Sequence, residues 1–144
     1  MNDKKNNKGK EYYFNGELKY EGEFLNDQRH GQAKELYDNS KLKYKGEYNK
    51  GQRWNVIKKV YYDNGNLKFD FEYLKGVEKG IKREYYENGR LKFKCEFLKN
   101  KNSWKGKDYD TNGNIIFEGE YLEGMRWNGK YYEYYDSSHI RCQG

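Results

Sequence analysis

The chain has 144 residues, 36% of them charged and only 34% hydrophobic, a balance that argues against a deep globular core. Disorder is argued against in turn by 17 Tyr, 7 Phe and 3 Trp, rings that each bury roughly 150–250 Å² when packed and that disordered chains lack. The net charge of +6 divides into +3 on residues 1–10 and +3 spread over all the rest, where Lys and Glu alternate, so a one-signed face for nucleic acid is not expected.

In chain order, residues 1–10 carry Lys4, Lys5, Lys8 and Lys10 against Asp3 and are expected to form a basic flexible tail. Residues 11–136 then read as five repeats of 24–25 residues, because turn signals recur at Asn15-Gly16, Asn39-Ser40, Asn64-Gly65, Asn88-Gly89, Asn112-Gly113 and Ser137-Ser138. After each of the first five comes one phrase: LKYEGEF from Leu18, LKYKGEY from Leu42, LKFDFEY from Leu67, LKFKCEF from Leu91 and IIFEGEY from Ile115. The phrase alternates with period two, the mark of a half-buried strand. Leu18, Tyr20, Gly22 and Phe24 face one way, Lys19, Glu21 and Glu23 the other. The expected core is therefore Tyr20, Phe24, Tyr44, Tyr48, Phe69, Tyr73, Phe93, Phe97, Phe117 and Tyr121.

A second turn follows each phrase, at Asn26-Asp27, Lys50-Gly51, Lys75-Gly76, Lys99-Asn100 and Glu123-Gly124, and leads into a shorter strand ending in aromatics. Asn-Gly tolerates positive φ at both residues and signals a tight hairpin. Pro is absent, so every strand keeps its N–H groups for a ladder. The fold class is all-β without helices of note: an elongated single array of antiparallel hairpins, advancing roughly 10 Å per repeat and on the order of 50 Å long. Residues 137–144 are a C-terminal tail or a truncated sixth repeat, too short to cover the last hairpin, and an open strand edge recruits another strand. A homodimer through the C-terminal hairpin is expected on that ground.

Tyr20-Glu21-Gly22-Glu23-Phe24, continued through Arg29-His30-Gly31, resembles the MORN (membrane occupation and recognition nexus) repeat. Lys45-Gly46-Glu47-Tyr48, Glu118-Gly119-Glu120-Tyr121 and Arg126-Trp127-Asn128-Gly129 carry the same wording, and the resemblance covers about residues 11–136. Phe71 and Cys95 replace the central Gly in repeats three and four, and YYENGRLKFKCEF is similar to the MORN-like variant of bacterial antitoxin-type proteins. The resemblance implies a β-hairpin rod with roles in scaffolding, dimerisation and attachment of proteins to membranes or cytoskeleton. It also implies that the chain can be the non-catalytic part of a larger protein, since such arrays often accompany a lipid kinase or methyltransferase domain.

No catalytic, metal or cofactor site is expected. Gly124 through Gly129-Lys130 has the spacing of a phosphate-binding loop, but Tyr131 stands where Ser or Thr is required and the segment is a hairpin turn. His30 and His139 have no nucleophile placed beside them, and His30 occupies the slot of Trp54 and Trp127, a turn-packing position. Cys95 falls on the inward face as a small hydrophobe, and with Cys142 forms no metal-like spacing. The column Glu23, Glu47, Glu72, Glu96 and Glu120 repeats at about 10 Å, too far apart to share a cation, and is read as pairing with Lys across strands. The column Lys19, Lys43, Lys68 and Lys92, broken by Ile116, is a solvated face and a candidate stripe for an acidic partner or anionic lipid.

These readings give a non-catalytic scaffold that binds another protein through its ring faces and turns. Peripheral binding to anionic phospholipid, at about 1 kcal/mol per lysine near the surface, is the first alternative, and antitoxin-like neutralisation the second. No signal-peptide core or ~18-residue apolar run is present, so the expected location is cytoplasmic, including the cytoplasmic face of a membrane or cytoskeleton.

Overall fold

The computed structural model describes residues 7–99 and 102–134 and the backbone of residues 140–143. The expectations placed on Asp3, Lys4, Lys5, Asn100, Ser137-Ser138, His139 and the side chain of Cys142 lie outside those residues. Twelve strands follow one another: β1 Asn7–Tyr12, β2 Leu18–Leu25, β3 Gln28–Leu36, β4 Leu42–Asn49, β5 Gln52–Tyr61, β6 Leu67–Leu74, β7 Val77–Tyr85, β8 Leu91–Leu98, β9 Ser103–Tyr109, β10 Ile115–Leu122, β11 Met125–Tyr134 and β12 Ile140–Gln143. Each is hydrogen-bonded to its neighbours in sequence, and no helix occurs among the described residues. This is the all-β hairpin stack that the alternation of apolar and polar residues specifies.

Both ends differ from expectation. Residues 7–10, expected to belong to the basic tail, lie in β1, which begins at Asn7 and pairs Lys8 with Glu23 and Lys10 with Glu21 across β2. Lys8 and Lys10 thus stand opposite glutamates, which favours pairing. At the other end β12 pairs with β11, Tyr132 opposite Gln143 and Tyr134 opposite Ile140, so β11 is covered along part of its length.

The two kinds of turn separate by backbone geometry. In the first turns only one residue is left-handed, Gly16, Ser40, Gly65, Gly89 or Gly113, rather than both members of the Asn-Gly pair. Gly16 N–H donates to Tyr13 O at 3.0 Å and Tyr13 N–H to Glu17 O at 2.8 Å, a pattern repeated in every later first turn and typical of a three-residue loop closed by a left-handed residue. The second turns are the tight ones. Asn26 and Asp27, Lys50 and Gly51, Lys75 and Gly76, and Glu123 and Gly124 all have φ between 48° and 82°, matching the strand twist with a two-residue loop. Between β8 and β9, however, Leu98 pairs with Ser103, so four residues connect them and not the expected Lys99-Asn100 pair.

The chain divides into two compact units, Met1–Lys59 with Phe71–Glu78, and Val60–Asp70 with Lys79–Gly144. In the first, Tyr20, Tyr44, Tyr48 and Val56 are buried and Phe24, Ala33 and Tyr73 pack against them. The Tyr20 ring meets Phe24 and Tyr48 edge-on, at 5.2 and 5.6 Å, the arrangement that the ring quadrupole prefers. In the second, Cys95, Phe117 and Tyr121 are buried, with Phe117 and Phe93 edge-on to Tyr121. Of the ten residues expected in the core, Phe24, Phe69, Tyr73, Phe93 and Phe97 are half-buried, and the buried Phe71 joins them from a position the repeat usually gives to Gly.

Small residues face each other across the strands beside these rings, Gly22 opposite Ala33 and Gly119 opposite both Gly106 and Gly129. A Cβ on Gly119 or Gly129 would lie 2.9 or 2.8 Å from the Phe117 ring. The ring lies flat where a side chain would stand, so a thin sheet buries a large aromatic.

Candidate interaction surface

The first turns place a tyrosine beside each lysine of the predicted stripe. Lys19 Nζ stands 5.6 Å from the centre of the Tyr13 ring and Lys43 Nζ 5.1 Å from Tyr37, both in the first unit. In the second, Lys68 is 5.6 Å from Tyr62 and Lys92 6.0 Å from Tyr86. These are cation–π distances. Lys92 also pairs with Glu84 at 2.7 Å.

The rings are fixed from their other end. Tyr13, Tyr37, Tyr62 and Tyr86 donate their hydroxyls to the backbone carbonyls of Leu36, Lys59, Tyr85 and Tyr109, at 2.7, 3.0, 2.8 and 2.6 Å. The fifth repeat has neither member: Asp110 replaces the tyrosine and Ile116 the lysine. That joint loss is visible in the sequence, as YFNG, YDNS, YDNG and YENG against DTNG, and it is the signal that would have linked the two columns.

The aromatic face also holds charges that sequence reasoning missed. Arg29 grips the Glu11 carboxylate through Nε and Nη2 at 3.1 and 2.6 Å, and its plane lies 4.3 Å from the centre of the Tyr20 ring. Arg53 does the same to Glu35, at 3.0 and 3.1 Å, over Tyr44 at 3.8 Å. Arg126 bonds Asp108 at 2.5 Å and lies over Phe117 at 5.1 Å. Each acid precedes its arginine by 18 residues. Glu35 is 5% exposed and is held further by Arg29 at 3.3 Å and by the Tyr48 hydroxyl. The bond that Glu11 accepts from Arg29 is the largest influence on its carboxyl and holds it below the ordinary value of 4.5.

The remaining sequence candidates are placed as structural groups. His30 is half-buried and its Nδ1 accepts from Lys50 N–H at 3.5 Å. Burial pushes the Cys95 thiol up to about 12, which keeps it protonated and inert. Glu23 and Glu47 accept from Gln32 N–H and the Asn55 amide, not from the expected lysines. Cross-strand Lys pairs form at Glu21, with Lys10 and Lys34, at Glu84, with Lys92, and at Glu118, with Lys107. Among the described residues no group of three or more His, Cys, Asp or Glu is placed to hold a metal, and no helix is long and apolar enough to cross a membrane.

The hairpin of β10 and β11 exposes Leu122, Met125, Trp127 and Tyr131, with Met125 at 67% and Trp127 at 71%. Its counterparts Trp54 and Trp104 are half-buried. In the first unit, the turn of the following hairpin lies against Trp54: Gly76 N–H donates to Trp54 O at 2.9 Å.

Stacked hairpins with a repeated ring and a repeated cation define a β-repeat protein. The MORN repeat profile matches residues 20–41, and that of the MORN repeat variant matches residues 5–26, 55–75, 78–99 and 105–123, more than half of the chain. The chain belongs to the MORN repeat family, whose repeats generally serve as non-catalytic scaffold modules for proteins or membranes. None of the curated protein sequences compared with it matches.

Proposed function

We propose that this chain is a non-catalytic scaffold that binds another protein through the exposed apolar surface of the β10–β11 hairpin. The observation that carries the reading is Trp127, 71% exposed where Trp54 and Trp104 are half-buried. An indole left in water beside Met125 and Tyr131 is the kind of aromatic anchor on which binding energy concentrates. Affinity capture from cell extract at high salt tests it: Trp127→Ser is expected to lose the proteins that the native chain retains, while replacement of Lys19, Lys43, Lys68 and Lys92 by Ser retains them. Equal capture by Trp127→Ser and the native chain refutes the assignment.

A second reading, peripheral binding to anionic phospholipid, is favoured by the Lys–Tyr pairs, which hold four ammonium groups in defined positions. Its signature is charge. Sedimentation with acidic vesicles should be strong at low salt and vanish as the Debye length falls to about 3 Å near 1 M. Absence of pelleting at low salt removes this reading.

A further inference from the structure

Four first turns carry Asn-Gly: Asn15-Gly16, Asn64-Gly65, Asn88-Gly89 and Asn112-Gly113. Such a step can lose its side-chain amide without an enzyme. The glycine backbone nitrogen, unshielded by a Cβ on its own residue, attacks the Asn Cγ. A new C–N bond closes a succinimide ring, and ammonia leaves with the proton that the nitrogen gives up. Water then opens the ring at either carbonyl, giving aspartate or isoaspartate. One water enters and one ammonia departs. The attack requires the Asn side chain to swing over the glycine nitrogen.

In three turns a hydrogen bond opposes that swing. Asn15 Oδ1 accepts from Glu17 N–H at 3.0 Å, Asn64 Oδ1 from Asn66 N–H at 2.9 Å, and Asn88 Oδ1 from Arg90 N–H at 3.0 Å. Asn64 is tied twice, since its Nδ2 donates to Glu87 O at 3.1 Å. In the fifth turn the corresponding donor, Asn114 N–H, is taken by Asp110 Oδ1 at 2.9 Å, and the same carboxylate accepts from Asn112 N–H at 2.9 Å and from Asn114 Nδ2 at 3.1 Å. Asn112 is exposed, and its side chain has no hydrogen-bond partner among the described residues. A further Asn-Gly, Asn128-Gly129, lies inside β11 with Gly129 opposite Gly119, where the extended backbone carries the glycine nitrogen away from the side chain.

We propose that Asn112 is a site of spontaneous deamidation, selected because Asp110 takes the backbone donor that restrains its three counterparts. Conversion to aspartate sets a second carboxylate beside Asp110, and conversion to isoaspartate adds a methylene to the main chain of the turn leading into β10. Asp110 is the residue that distinguishes this turn, since the other four have Tyr at its position.

The test is peptide mass mapping of the folded full chain during incubation in mildly alkaline buffer. Asn112 is expected to convert about fivefold faster than Asn15, Asn64 or Asn88, the factor that one net hydrogen bond provides. In strong urea the four rates converge, which shows the selectivity to reside in the fold. Asp110→Tyr frees Asn114 N–H for Asn112 Oδ1, and Asn112 then slows to the rate of Asn88. Equal rates at the four turns of the folded native chain, or conversion led by Asn128, overturn the proposal. So does a folded Asp110→Tyr chain in which Asn112 is unslowed. Should Asp110→Tyr fail to fold, the order of rates in the native chain decides alone.

Discussion

Glu35 occupies a position that its neighbours make costly. It lies on the aromatic face between Tyr20 and Tyr44, and its charge is tolerated because two guanidiniums and a hydroxyl surround it. Replacing it with Ala leaves Arg29 and Arg53 without their shared acid. Breaking a fully buried pair costs about 3–5 kcal/mol, and because both arginines retain some solvent the expected loss is about 2–3 kcal/mol, read from urea unfolding. The pairs also set an acid limit. Glu11 and Glu21 are both held below their ordinary 4.5, the first by its bond from Arg29, the second by bonds from Lys34 and Lys10. Groups whose folded pKa is depressed stabilise above the unfolded value and cease to do so as pH falls through the folded one. Thermal melts should therefore hold steady from neutrality down to about 4.5 and decline below it. A midpoint that rises on acidification would contradict these assignments.

At the scale of the strand and turn, a buried ring and a half-buried one should differ measurably. Phe117→Ala, at a fully buried site, is expected to cost about 3–5 kcal/mol; Phe69→Ala, half-buried, should cost clearly less. Equal losses would mean that the difference in burial between these two rings does not set the cost. Ser40 offers a change of opposite sign. It holds φ 65° where its four counterparts are Gly, and its Oγ contact with Glu17 is exposed, so Ser40→Gly should stabilise by about 0.5–1 kcal/mol in the same denaturation assay.

The strands, their alternation and the turn positions were legible in the sequence because period two and Asn-Gly are local signals. The turn types were less so. Whether one residue or two becomes left-handed depends on loop length, and the insertion between Leu98 and Ser103 is hidden by a phrase spacing that stays near 24. The Arg–acid pairs were illegible for a different reason: they join residues 18 apart across an intervening strand, β1 to β3, β3 to β5 and β9 to β11, and in a chain where Lys and Glu alternate one more opposite charge carries no signal until the register is known.

For the molecule as a whole, the dimer expected from an open edge needs a narrower statement. β12 covers β11 at Tyr132–Tyr134, and the exposed apolar side chains lie in its first part, at Met125 and Trp127. If that part brings copies together, sedimentation at high micromolar concentration should show a reversible dimer in the native chain and a monomer for Trp127→Lys. A native chain that stays monomeric there rules the contact out.

The tyrosine hydroxyls bear on how such a protein changes length over generations. Each of Tyr13, Tyr37, Tyr62 and Tyr86 bonds a carbonyl 22 or 23 residues downstream. Unequal recombination that duplicates or excises one period between Tyr13 and Tyr86 delivers a new tyrosine and a new carbonyl together, at the offset where each finds its mate. Copy number upstream of Asp110 can therefore drift without leaving a hydroxyl stranded, whereas a join placed out of phase strands one at once.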